Sequence, residues 1–175
     1  MSQPEFSRPI RIDTIGSARR DIAVEAEPEE REALARRFGI AAIDTLSARL
    51  EISRNGDEIR ATGRLEARVT QSCVVTEAPV PAAVNEPFDI LFRPQPAIDG
   101  AEEEIELMET DMDVVFYDGG AVDVGEAVAE TLSLSLDPYP RAPDAEEVLK
   151  AAGVKSEAEA GAFGALAALR DKLKP

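Results

Sequence analysis

The 175-residue chain has no histidine, no tryptophan and one cysteine, Cys73. Each absence removes a class of chemistry. Without histidine there is no imidazole base for a nucleophilic triad and no imidazole ligand for a metal. A lone cysteine allows no intrachain disulfide, and Thr76 stands where a Cys-x-x-Cys pair needs its second thiol. Aromatics reach only 5%, so the core must be aliphatic around a few phenylalanines. No apolar run approaches the roughly 20 residues of a membrane-spanning helix. The opening MSQPEFSRPIRID lacks the apolar centre of a secretory signal. These features lead us to expect a cytoplasmic protein that is not an enzyme and contacts no membrane.

Phosphate-cradling glycine loops are also missing: neither GxxxxGK[ST] nor GxGxxG occurs. Asp111-Met112-Asp113 begins like a calcium loop, but Val115 and Phe116 occupy the positions of an oxygen ligand and the obligatory glycine. Neither a cofactor nor a metal is expected. Cys73, with no base beside it in sequence, reads as a packed thiol and not as a nucleophile.

Charge is what the chain has in excess. Its formal net charge is −16, and residues 94–147 carry sixteen acids against one base, Arg141. A field of that sign repels nucleic-acid phosphates and attracts basic proteins. Glu102, Glu103, Glu104, Asp111, Asp113, Asp123 and Glu126 are therefore the candidate contacts to a basic partner. A second feature opposes the first. Arg49, Arg60, Arg64 and Arg68 lie at strand spacing and would share one face, where an RNA backbone could run. The simpler reading of that face is a solvated surface with pairs to Glu51 and Glu66. It is favoured because no aromatics interleave for base stacking.

Periodicity gives an α+β fold, mainly an antiparallel sheet, with barrel closure undecided, and two to three helices. Phe6, Ile10 and Ile12, then Ile22 and Val24, read as a hairpin or two edge strands about Gly16–Ser17. Pro28, the following glutamates, Arg36-Arg37 and Gly39 predict a helix with both ends matched to its dipole. Strict alternation over 46–53 and 58–70 around Asn55-Gly56 predicts a hairpin with Ile52 facing Ile59 and Glu51 facing Arg60. A turn at Pro79-Val80-Pro81 leads to the alternating Phe88, Ile90 and Phe92. Residues 94–110 read as a mobile loop, followed by a short strand, Val114–Tyr117. Asp123 with Glu126 three residues on predicts a capped helix bearing Val124, Val128 and Leu132 on one face. The predicted core is Ile12, Leu34, Leu50, Ile52, Leu65, Val69, Phe88, Ile90 and Leu132. We expect one domain over 1–150, then a flexible segment, 151–175, ending in a short amphipathic helix with Phe163, Leu166, Leu169 and Leu173.

Two segments carry a family resemblance. QSCVVTEAPVPAAVNEPFDILFRP, residues 71–94, resembles the cysteine-centred strand-turn-strand signature of the YceD family. VDVGEAVAETLSLSLDPYPRAP, residues 122–143, resembles its second signature, and FGALAALRDKLK, residues 163–174, resembles its Leu-rich ending. The resemblance implies a non-catalytic role in large ribosomal subunit biogenesis, supporting 23S rRNA accumulation. It implies as partner a basic large-subunit ribosomal protein or a pre-ribosomal particle, with rRNA itself as the alternative. Two positions depart from the pattern: Thr76, where many members carry a second cysteine, and Glu77, often leucine. Cys73 then marks a structural turn.

Overall fold

The computed structural model describes residues 4–96 and 113–154. In chain order the elements are β1 (Pro9–Arg11), β2 (Arg20–Glu25), α1 (Pro28–Phe38), β3 (Ala42–Asn55) and β4 (Glu58–Ser72). They continue with β5 (Pro79–Pro94), β6 (Asp113–Tyr117), β7 (Ala121–Asp123), α2 (Val124–Ser135) and α3 (Ala145–Ala151). The chain divides into two compact units, residues 1–71 with 81–137, and residues 72–80 with 138–175.

The first unit is built on a five-stranded sheet ordered β2-β3-β4-β5-β6. The β2–β3 and β3–β4 pairings are antiparallel and β5–β6 is parallel. Among the described residues the sheet ends in two edges, β2 and β6, and does not close into a barrel. Period-two alternation sends Leu46, Ala48, Leu50 and Ile52 of β3 and Ile59, Ala61, Leu65, Ala67 and Val69 of β4 to one buried face. Helices α1 and α2 add Leu34, Val124, Val128 and Leu132 to the same core, and Phe6 joins it. Leu34, Ile52, Ile59, Leu65 and Leu132 are fully buried. Each such side chain contributes about 1.5–3 kcal/mol relative to exposure. Every predicted core residue is buried except Ile12, which packs partly exposed at the rim.

Helix α1 forms as its sequence predicts. Glu30 accepts the Glu27 backbone N–H at 2.8 Å, Pro28 holds the first turn, and Gly39 ends it in the left-handed region at φ 67°. At α2, the Asp123 carboxylate accepts the Glu126 N–H at 3.1 Å.

Of the two arrangements expected for the first strands, the hairpin does not form: β1 pairs with β7 in a separate two-stranded sheet, residues 12–14 turning as a short 3-10 helix, and β2 is an edge of the five-stranded sheet. Two details differ from the sequence reading. The β3–β4 turn is Gly56-Asp57, so Ile52 faces Ala61, Glu51 faces Thr62 and Arg60 faces Ser53. The slip is two residues, which preserves which face is apolar; a slip of one would have inverted it. The connection after β4 turns at Val74–Thr76, and Pro79 opens β5 instead of turning the chain.

In the second unit, Cys73, Ala142 and Ala145 are buried against Val75, Ala78 and Val80. The Cys73 N–H donates to the Ala78 carbonyl at 2.8 Å, and the Glu77 N–H donates to the Cys73 carbonyl at 2.9 Å. Glu77 takes a left-handed φ of 59° to close this turn, a conformation that costs a non-glycine residue about 1–2 kcal/mol. The amphipathic helix expected near residue 163 lies outside the described residues.

Candidate interaction surfaces

The arginines predicted to share a face do share one. Arg60, Arg64 and Arg68 occupy alternate positions of β4 and are exposed, as is Arg49 on β3. Arg49 stands directly opposite Arg64 in the antiparallel register. Two like charges at that spacing repel unless an anion or a dipole lies between them.

Their surroundings split the four. Arg60 donates two hydrogen bonds to the Asp89 carboxylate of β5, at 3.0 and 2.7 Å, and this bond raises the guanidinium pKa. Arg64 donates to the Asn85 side-chain carbonyl at 2.6 Å, a neutral partner that leaves its charge uncompensated. Among the described residues, no carboxylate lies within ion-pair distance of Arg49, Arg64 or Arg68. The cross-strand pairs expected with Glu51 and Glu66 do not form: Glu51 pairs with Arg19 at 3.3 Å, and Glu66 faces Ser47. Sequence reading missed Asn85 and Asp89 because they reach the stripe from β5, whose register with β4 no local motif specifies.

Beside Arg49 the sheet is indented. A shallow cleft of about 460 Å³ is lined by Asp21, Ile22, Ala23, Arg49, Leu50, Glu51, Thr62 and Gly63. Gly63 explains the indentation. A Cβ there would lie 2.1 Å from the Arg49 carbonyl oxygen, so only glycine lets the two strands approach so closely.

The acidic candidates also divide. Glu102, Glu103, Glu104 and Asp111 lie outside the described residues. Asp113 is exposed at the head of β6. Asp123 is committed to structure: besides capping α2 it accepts from the Ser7 hydroxyl at 2.5 Å and from the Arg8 N–H at 2.8 Å. Glu126 is held by Arg37, which donates to it at 2.7 and 3.1 Å and to Glu5 at 3.0 Å. These two acids hold the N-terminal segment and α1 to α2. Gly125 serves the same junction, since a Cβ there would fall 2.6 Å from the Phe6 carbonyl oxygen.

The Cys73 thiol is buried, and the Val75 N–H approaches its sulfur at 3.4 Å. Hydrogen bonds from the Ala142 backbone and then from the Thr76 hydroxyl lower its pKa from 9.0 to about 7. The residue in the place of a second cysteine thus acts as a donor to the first. No group of three metal-ligating side chains occurs among the described residues, and none of the described helices is long and apolar enough to cross a membrane.

No curated protein and no solved structure matches the chain. A family model does: the large ribosomal RNA subunit accumulation protein YceD matches residues 61–170, which take in most of β4, the Cys73 turn, β5, β6 and α2. Both quoted signatures fall inside that span, and the chain belongs to the YceD family of large ribosomal RNA subunit accumulation proteins.

Proposed function

We propose that the chain supports large-subunit rRNA accumulation by binding, without chemistry of its own, and that its acidic stretch captures a basic ribosomal protein or a pre-ribosomal particle. One observation carries this reading: sixteen acids and one base over residues 94–147. Glu102, Glu103, Glu104, Asp111 and Asp113 are the contacts proposed, while Asp123 and Glu126 have internal partners and are withdrawn from the docking set. Capture of RNA-free basic ribosomal proteins tests it. Replacing Glu102, Glu103 and Glu104 by glutamine should weaken capture and make what remains less sensitive to salt. Unchanged capture by a folded variant would remove the acidic-docking idea. In cells, depletion should lower large-subunit rRNA relative to small-subunit rRNA.

The facing of Arg49 and Arg64 without a carboxylate partner supports a second reading, in which rRNA itself lies on the arginine face. Asp21 and Glu51 on one side and Glu66 on the other flank those arginines. They disfavour a long polyanion and place this reading second.

A further inference from the structure

The two edges of the sheet are not alike. β2 carries Arg20, Asp21 and Glu25 along its six residues, charges that discourage pairing with another strand. β6, Asp113–Tyr117, has no lysine, arginine or proline, and its register with β5 is unbroken. Among the described residues no strand lies beyond it. Val114 and Phe116 are 40% and 48% exposed, whereas Val115 and Tyr117 pack on the core. The main chain gives this edge a register. The Gln95 N–H donates to the Tyr117 carbonyl at 3.0 Å, so Tyr117 addresses the β5 side. By the two-residue period, Asp113 and Val115 address that side too, and the N–H and C=O groups of Val114 and Phe116 point to the open edge. Among the described residues no strand meets these main-chain groups, and they belong to the residues whose apolar side chains are exposed. Acids bracket them: Asp113 opens the strand and Asp118 follows it.

We infer that β6 is a strand-addition site for an extended basic segment of a protein, which pairs its main chain with Val114 and Phe116. Its alternate apolar side chains cover theirs, and its cations meet the flanking acids. The inference rests on the proposed capture of a basic ribosomal protein and names how such a partner is held.

The test uses the full chain and a fluorescein-labelled peptide of alternating lysine and valine. A second peptide has the same sequence and charge, with alternate peptide nitrogens methylated to block strand pairing. Fluorescence anisotropy should show the unmodified peptide binding at least tenfold tighter than the methylated one. Val114→Lys and Phe116→Lys should erase that difference while leaving the circular dichroism spectrum and melting midpoint close to wild type. Equal affinity for the two peptides would overturn the inference, leaving simple charge attraction. Sedimentation that showed dimers of the chain, lost in Phe116→Lys, would also overturn it by assigning the edge to a second copy. Should the lysine variants fail to fold, the peptide comparison on the wild type decides alone. Loss of the methylation effect with ribosomal-protein capture intact would reject the edge but spare the proposed function. Absence of capture by the wild type would reject that function itself.

Discussion

Substituting the four arginines one at a time separates a nucleic-acid surface from a solvated one, because the structure assigns them unequal charge. Arg60 is neutralised by Asp89, and Arg49, Arg64 and Arg68 have no carboxylate partner among the described residues. If single-stranded rRNA lies on this face, three cations release counterions. The slope of log affinity against log salt is then about −2, from about 0.7 per phosphate contacted. Raising salt from about 50 to 200 mM should weaken binding about 18-fold. Arg64→Ala should flatten the slope to about −1.4 and the loss to about 7-fold. Arg60→Ala should leave both near wild type. Stability should not suffer in Arg64→Ala, since removing it relieves the repulsion with Arg49, worth a few tenths of a kcal/mol in a cross-strand pair. Anisotropy with a labelled single-stranded RNA across a salt series measures all of this. Equal effects of Arg60→Ala and Arg64→Ala would refute the division of the stripe. A flat salt dependence in the wild type would refute RNA binding here.

Other consequences follow from packing and protonation. Leu132→Ala, at a fully buried site, should cost about 2–5 kcal/mol in denaturant titration; a loss under about 1 kcal/mol would mean that α2 is not docked on the core. Gly125→Ala forces a methyl against the Phe6 carbonyl and should destabilise by about 1–3 kcal/mol, with faster amide exchange at Ser7 and Arg8; wild-type exchange there would contradict the close approach. The folded Cys73 thiol has a pKa depressed to about 7. Its stabilising contribution is therefore absent below that pH and grows as pH rises toward 9.0, the ordinary thiol value. The stability difference between wild type and Cys73→Ala should accordingly widen over that window, and a gap independent of pH would speak against the hydrogen-bonded thiolate. Arg8 lowers the Glu30 pKa through a bond of 2.6 Å. That stabilisation is present above the ordinary carboxylate range and fades in acid, so Glu30→Gln should melt lower than wild type at neutral pH and converge on it as pH falls.

Local chemistry made much of the fold legible. Helix α1 could be drawn from Pro28 to Phe38, with Gly39 as its cap, because caps, dipole charges and apolar spacing agree along its eleven residues. The apolar faces of β3 and β4 were legible for the same reason, and they survived an error in the turn. Placing the turn at Asn55-Gly56 instead of Gly56-Asp57 moved every cross-strand pair by two, and side chains alternate with that same period. Face assignment is thus robust to the commonest hairpin mistake, whereas pair assignment is not. What lies across from an arginine is a pair question. That is why the Glu51–Arg60 pair was expected and the Arg49–Arg64 opposition was found. The β1–β7 pairing joins residues more than a hundred positions apart, and three-residue strands hold too few alternations to announce it.

The acidic candidates show the same limit from the other side. Asp123 and Glu126 look like their neighbours in a charge map, yet one bonds Ser7 and Arg8 and the other bonds Arg37. A charge count cannot distinguish an acid that awaits a partner from one that already has it. Among the described acids, that distinction leaves Asp113 and Asp118 beside the open edge of β6. The proposed mode of binding therefore rests less on total charge than on a strand edge whose exposed apolar side chains and outward-facing main-chain groups belong to the same residues.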